Sequence, residues 1–371
     1  MQNTFLSGSY SCNDVIFLLK EITGLISESS NEYRENAIQS GTHYSEMLPI
    51  EYSPTEEYMK LFYETLEQNK TKLAKLTAAI SNKIINTRGT DIVLVSLARA
   101  GTPIGILIKR YIKYKYNLDL PHYSISIIRD KGIDKNALQY ILKNHPNSSL
   151  QFIDGWTGKG VINDTLIKAC DDFYKETCIK LNPELAVLSD PGYCTNLYAT
   201  REDFLIPSAC LNSTVSGLMS RTVLNEAFIS KTDFHGAKYY KELASIDVSN
   251  LYIDTISSQF SLAEESIKIS ESDSLFLDNE PLPNYKGLND VYKIQKLFNI
   301  KNINLIKPGV GETTRVLLRR IPWKILVDSL DNPNLKHIFK LADDRNVPIE
   351  VYKDMSYSCC GIIKPKELGD I

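Results

Sequence analysis

Residues 150–160 read LQFIDGWTGKG. An apolar run ends in the carboxylate Asp154, and a glycine-rich turn, Thr157-Gly158-Lys159-Gly160, then opens a helix. A strand that is apolar at nearly every position is buried on both faces, the mark of a parallel sheet covered by helices. The same alternation extends outward in both directions. Upstream, IVLVSLARAGTP (residues 92–103) is a β-rich run broken by Gly101 and Pro103, followed by the helical IGILIKRYIKYKY. SISII from Ser124 ends in the charged RDKGID, and a helix, NALQYILKNH, leads back to the opening stretch. Downstream, ELAVLSD gives one more strand and PGYCTN from Pro191 a loop. Residues from about 55 to 85 read as one or two helices. Asp14 is placed to cap another, whose apolar positions Val15, Ile16, Leu18, Leu19, Ile22 and Leu25 follow the 3.6 period. Strands alternating with helices predict an α/β fold with a mainly parallel sheet.

The chain has 371 residues, 43% hydrophobic and 23% charged. That is room for two domains at roughly 150 residues each, and it excludes intrinsic disorder, rods and disulfide-built miniproteins. No apolar run approaches the roughly 18 residues of a membrane span. The opening MQNTFLSGSYSCND lacks the basic and apolar regions of a secretory signal, so a cytoplasmic protein without a membrane partner is expected. The seven cysteines are odd in number and show no CxxC spacing, which predicts free, mostly buried thiols. No two of the five histidines lie within five residues, which excludes a helical HExxH zinc site.

The polar, twice-proline DNEPLP at 278–283 reads as a linker. From Glu280 onward there are 15 Lys and Arg against 11 Asp and Glu, a net of +4, whereas the preceding residues carry 27 against 34. The later region repeats the alternation on a smaller scale. LNDVYKIQKLFN is a helix, INLI a strand, KPGVGE a loop, TTRVLLRRI a helix, KILVD a strand, NLKHIFKLADDR a helix and IEVY a strand.

Ligands of open parallel sheets bind at the carboxyl ends of strands, and three such ends carry chemistry. In Ala98–Pro103 small residues let the backbone approach an anion and Arg99 can fork to its oxygens, unless it is merely a capped surface arginine. Arg129-Asp130-Lys131-Gly132 is basic and glycine-hinged, a mobile cover or a solvated turn. Thr157–Gly160 presents unpaired N–H groups and the positive end of a helix dipole, a phosphate cradle. Glycine-rich strand–helix turns also exist simply to make the turn, and GxxxxGK[ST] is not satisfied around Lys159.

Strand, acid, glycine/threonine loop and helix resemble the type I phosphoribosyltransferases, which bind phosphoribosyl pyrophosphate (PRPP). A wider set of motifs resembles a bacterial family from tellurite-resistance and stress-response operons. They are GSYSCNDVIFLLK, HYSEMLPIEY, VSLARAGTPIGILIKRY, HYSISIIRDKGID, FIDGWTGKG, TREDFLIPSACLNSTVSGLMSRTVLN, DFHGAKYYKEL and KPGVGETTRVLLRRIPW. That family joins a phosphoribosyltransferase-like domain to a carboxy-terminal Pelota-type RNA-binding domain, and also goes under the name cysteine protease StiP. The resemblance implies a parallel-sheet type I phosphoribosyltransferase-like domain over 1–275 and a small α/β Pelota-like domain over 276–371. It further implies transfer from PRPP to a base or nucleoside-like acceptor, with Mg²⁺ carried by PRPP rather than by direct protein ligands.

Residue by residue, the resemblance places Asp154 on the ribose hydroxyls and Thr157, Gly158, Lys159 and Gly160 on the 5′-phosphate. Arg99, Ala100 and Gly101 would hold the pyrophosphate, under a hood carrying Arg129 and Lys131. Asp190 with Arg201, Glu202 and Asp203 would wall the acceptor site, or serve as a helix-capping cluster. One departure is that Gly155 stands where the usual motif has a second acid; another is a shortened loop. The carboxy-terminal domain would grip structured RNA through Lys307, Gly309, Gly311, Arg315, Arg319 and Arg320; a homodimer is left open. Within 301–320 there are five basic residues against the single acid Glu312.

Two rivals stand beside the transferase. A thiol hydrolase would use Cys210 as nucleophile, His235 as base and Asp190 or Asp233 to orient it. Against it, Cys210 sits among small apolar residues, as a buried cysteine does. A catalytically silent sensor of nucleotide or RNA would suit the missing second acid.

Overall fold

The described residues open in extended pieces rather than in a helix. In the computed structural model, which describes residues 6, 8–271 and 282–364, strands β1 (Ile16–Phe17), β2 (Lys20–Glu21) and β3 (Glu28–Ser29) precede helix α1 (Asn31–Gln39) and strand β4 (Leu48–Pro49). The helix expected after Asp14 is therefore absent. Asp14 forms a bidentate pair with Arg110, at 2.8 and 2.7 Å, instead of capping. Val15, Phe17, Leu18, Leu19 and Ile22 are all buried, more than one helical stripe can hide, so the segment extends between two packed surfaces.

Helix α2 (Glu56–Arg88) is a single helix of 33 residues that stops at Gly89, whose φ of 78° suits glycine. The expected alternation follows: β5 (Ile92–Ala98), α3 (Thr102–Tyr116), β6 (His122–Ile128), the short β7 (Gly132–Ile133) and α4 (Lys135–Asn144). Then come β8 (Ser149–Trp156), α5 (Val161–Thr177), β9 (Leu185–Ser189) and β10 (Tyr198–Thr200). The sheet order is β1-β6-β5-β8-β9-β10, all parallel, with β7 folded back antiparallel on β6. β11 (Gly236–Ala237) pairs in parallel with β2, and helices α6 (Ser249–Ser257) and α7 (Phe260–Glu271) close this region.

Successive residues of a strand point to opposite faces. Ile92 and Leu94 accordingly pack with α2, α3 and α6, while Val93 and Val95 pack with Leu138 of α4 and Phe173 of α5. The doubly covered sheet read from the sequence is what forms. The type I phosphoribosyltransferase fold in particular is not confirmed by it.

The carboxy-terminal region holds α8 (Lys286–Leu297), β12 (Ile306–Pro308), α9 (Val310–Arg319), β13 (Pro322–Val327), α10 (Lys336–Asp344), β14 (Ile349–Val351) and β15 (Cys359–Ile363). Its sheet order is β12-β15-β13-β14. The strand expected over 303–306 starts only at Ile306, because Asn302 turns residues 303–305 by accepting a hydrogen bond from the Asn304 amide. The boundary at 275/276 and most of the expected linker at 278–283 lie outside the described residues. Among those described, no helix is long and apolar enough to cross a membrane.

Candidate functional site

The carboxyl ends of β5, β6 and β8 face helix α9 across a cleft between the two regions. Its larger chamber, about 630 Å³, is lined by Tyr44, Arg129, Asp154, Trp156, the 157–160 loop and Arg221, and by Lys307, Glu312 and Arg315 from the carboxy-terminal side. A chamber of about 320 Å³ adjoins it, lined by Arg99, Ser208, Asn212 and Arg319 among others. Ala100, Asp154, Trp156, Ile162 and Arg315 border both. The structure thus places Arg129 and Thr157–Gly160 on the larger chamber, Arg99 on the smaller one, and Ala100 and Asp154 on both. Lys131 is exposed and lines neither chamber. Gly101 has a packing reason: a Cβ there would sit 2.4 Å from the Ile153 carbonyl oxygen. Gly155 lies within β8.

The individual contacts are made with the protein itself. Arg99 donates to the Met219 carbonyl at 2.8 Å and lies 3.8 Å from Glu51, which accepts from the Ser213 amide and hydroxyl. Asp154 Oδ1 accepts from the Gly155 amide at 2.8 Å. Burial pushes this carboxyl up to about 7, against that amide and Arg315. The 157–160 loop is a latch between regions: Tyr357 Oη donates to the Gly158 carbonyl at 3.0 Å, and Lys159 Nζ donates to the Ile303 and Ile306 carbonyls at 3.0 and 3.3 Å. Arg129 pairs with Asp130 at 3.3 Å, and β7 returns the chain at once, making a tight hairpin where a hood was expected.

The residues expected to wall an acceptor site are engaged with the protein itself. Asp190 is fully buried and accepts from Thr157 Oγ1, Arg201 and the amides of Cys194 and Thr195. Arg201 stacks on the Tyr193 and Tyr198 rings at 4.4 and 3.6 Å. Glu202 pairs with Lys72 at 2.6 Å and accepts from Asn334 at 3.0 Å. Asp203 accepts from the Val310 and Ser358 amides, both at 2.9 Å, so it caps α9 from across the boundary. These are structural pairings, close to the capping alternative.

The presumed RNA element is turned inward as well. Arg315 donates to the Ala209 carbonyl (3.1 Å) and to Glu312 (3.0 Å), and lies 5.3 Å from the Trp156 ring. Arg319 donates to Asn212 Oδ1 (2.6 Å) and to the Cys210 carbonyl (2.8 Å). The Gly309 amide is taken by the Cys359 carbonyl at 2.8 Å, and Gly311 packs on Ala209 and Trp156. Lys307 lines the cleft, and Arg320 is exposed. An α9 amino terminus already capped by Asp203 is not free for a phosphate.

Cys210 is fully buried, and burial pushes its thiol up to about 12 although Arg315 and Arg319 pull it down. His235 Nδ1 is 2.8 Å from Ser126 Oγ, and its backbone amide donates to Asp134 at 2.6 Å; no hydrogen bond joins it to Cys210. Burial lowers the His235 ring and keeps it neutral, beside the Asp134 carboxylate. Asp233 is bound to Lys20 at 2.7 Å. Among the described residues no group of three or more His, Cys, Asp or Glu is assembled to hold a metal.

Tyr44 and Arg221 escaped the reading of the residues. They come from segments with no strand-end signal and meet the cleft only through tertiary packing.

Residues 8–257 match the family described as tellurite-like stress resistance cysteine protease StiP, and residues 285–365 match the PELOTA RNA binding domain. The cysteine protease StiP of Acinetobacter baylyi is 34% identical over 375 residues, covering 98% of this chain and 95% of the relative. Family and relative alike bear the name of the thiol hydrolase, which corrects the transferase expectation. PRPP, its acceptor and its Mg²⁺ lose their support with it.

Proposed function

This chain belongs to the StiP family of tellurite-like stress resistance cysteine proteases, and we propose that it is a thiol-dependent peptidase held latent by its own carboxy-terminal domain. The observation that carries the reading is the grip of α9 on the nucleophile's segment: Arg319 on the Cys210 carbonyl, Arg315 on that of Ala209. Ser208, Leu211 and Asn212, the neighbours of Cys210, wall the smaller chamber. The thiol lies one layer behind that wall, protonated. A cysteine attacks as the thiolate, so the docked form is inactive.

Activation then requires α9 to leave. Withdrawal removes both guanidinium anchors from 209–210 and admits water and substrate to the segment. His235, next to Asp134, is the base that would take the thiol proton, and the thiolate would attack the peptide carbonyl. The C–N bond then breaks as the imidazolium returns the proton to the leaving amine, and water hydrolyses the thioester to the acid and the free thiol. Structured RNA, the ligand class of the matching domain, supplies phosphates that can replace the carbonyls on Arg315 and Arg319. RNA and the amino-terminal domain would compete for one face of α9.

The test follows alkylation of Cys210 by peptide mapping and hydrolysis of an unfolded protein substrate, with and without structured RNA. Cys210 in the intact chain should react slowly. RNA, or the double change Asp203→Ala, Arg319→Ala, should raise its rate at least about tenfold and switch on hydrolysis that Cys210→Ala abolishes. Hydrolysis that persists in Cys210→Ala, or none in the undocked variant, overturns the reading.

A further inference from the structure

Arg315 and Arg319 stand four apart on one face of α9, and both guanidinium groups line the smaller chamber. What they touch there belongs to the amino-terminal domain. Arg315 donates to the Ala209 carbonyl at 3.1 Å, and Arg319 to Asn212 Oδ1 at 2.6 Å and to the Cys210 carbonyl at 2.8 Å. Arg315 also lies 5.3 Å from the Trp156 ring, and its charge pulls down the Asp154 carboxyl that burial holds up. Withdrawal of α9 takes the donors away from two carbonyls and an amide oxygen, the cation away from the indole face, and a countercharge away from Asp154. Glu312, paired with Arg315 at 3.0 Å, leaves on the same helix.

Acceptors left without donors in a half-enclosed chamber are costly, and they favour whatever donor enters. The groups vacated here select its chemistry. Oxygen acceptors, a carboxyl and an electron-rich ring call for a side chain that donates several hydrogen bonds and carries positive charge. A planar guanidinium reaches two acceptors while its face lies on a ring, whereas an ammonium is a single point charge. Arg99 stays behind on the chamber wall, but its charge is already matched by the Met219 carbonyl at 2.8 Å and by Glu51 at 3.8 Å. The volume, about 320 Å³, holds a long side chain and excludes a folded domain.

We propose that the smaller chamber is the substrate side-chain pocket of the peptidase and takes arginine, in the places that Arg315 and Arg319 fill while α9 is docked. Helix α9 is then a substrate mimic: it offers the preferred side chains from a helix, whose backbone is not presented for cleavage. A partner that draws off the two arginines of α9 opens the same acceptors to the arginines of a substrate. The proposal rests on the peptidase reading for its purpose, while binding of the side chain is measurable without hydrolysis.

The experiment is fluorescence anisotropy on the full chain carrying Cys210→Ala, Asp203→Ala and Arg319→Ala, with labelled alanine pentapeptides holding Arg, Lys, citrulline or Glu at the centre. The Arg peptide should bind saturably and the Lys peptide more weakly. Citrulline, which has the shape without the charge, should bind at least about tenfold more weakly than Arg. Trp156→Leu and Asp154→Asn should each weaken the Arg peptide at least about fivefold. Lys324→Ala, whose ammonium pairs with Glu350 in the carboxy-terminal sheet, serves as the unchanged control. Should the undocked chain fail to fold, the parent chain carries the test: the Arg peptide must displace α9 and speed alkylation of Cys210, and the citrulline peptide must not. With Cys210 restored, hydrolysis should follow the same order of peptides. No saturation by the Arg peptide, citrulline or Glu bound as tightly, or binding undiminished in both variants would each overturn the pocket, as would hydrolysis indifferent to Arg. Selective binding of Arg without hydrolysis of any peptide would leave the pocket standing and overturn the peptidase reading alone.

Discussion

Asp203 Oδ1 accepts a hydrogen bond from the Val310 amide at 2.9 Å, across 107 residues of sequence. Helix α9 begins after Gly309, which has no side chain to cap it, so an acid from the other domain supplies the cap. The same carboxyl takes the Ser358 amide beside the central strand β15. Asp203→Ala leaves two buried amides unsatisfied and should cost about 2–4 kcal/mol, whereas Asp203→Asn keeps one acceptor and should cost less. Urea unfolding of the three proteins checks the order; equal stabilities would mean that the cap contributes nothing.

Arg319 is committed to Asn212 Oδ1 and the Cys210 carbonyl. Arg319→Ala should destabilise the chain by about 2 kcal/mol. The thermal midpoint of the variant against the parent's checks it, and an unchanged midpoint would contradict it.

If RNA uses the α9 face, undocking should strengthen its binding. Asp203→Ala is expected to bind structured RNA more tightly than the parent chain. Adding Arg315→Ala and Arg319→Ala in that background should reduce the log–log salt slope by about two. Filter binding at several salt concentrations gives both quantities. Affinity indifferent to Asp203→Ala would separate RNA binding from docking.

A buried histidine sets a pH dependence. His122 is wedged between Ser96 Oγ and the Asp14 carbonyl, both at 2.8 Å, and burial holds its ring at about 4. Unfolded, it titrates near the ordinary 6.5, so between these values the unfolded chain binds the extra proton. Its contribution is therefore full above about 6.5 and is lost as pH falls toward 4, up to on the order of 3 kcal/mol. The stability of His122→Gln should fall less steeply than the parent's over that window; parallel curves would contradict this.

The sequence was most informative where burial is simple. β5 and β9 are apolar at all but one position because both faces are covered, and that pattern survives any tertiary detail. Val15–Leu25 matched a helical period, yet Val15, Leu18, Leu19 and Ile22 belong to a segment buried on two sides, which periodicity cannot tell from a stripe. Cys359–Ile363 was missed as a strand because a cysteine pair and a glycine carry little strand signal until they fill the centre of a sheet. The strand-end residues of the cleft could be found from topology. Their partners could not: Arg315 and Arg319 are four apart and share a helix face, but only packing reveals that the face meets Ala209 and Cys210 rather than solvent.

The pairing of β2 with β11 has a consequence for synthesis. Lys20 and Glu21 pair with Gly236 and Ala237, and Tyr10 Oη donates to the Val215 carbonyl 205 residues later. At roughly 5–20 residues per second, a ribosome needs about 10–40 s to deliver those partners. Throughout that interval Val15, Phe17, Leu18 and Ile22 emerge without their final cover, so this stretch is where a chaperone on the nascent chain is expected to hold it.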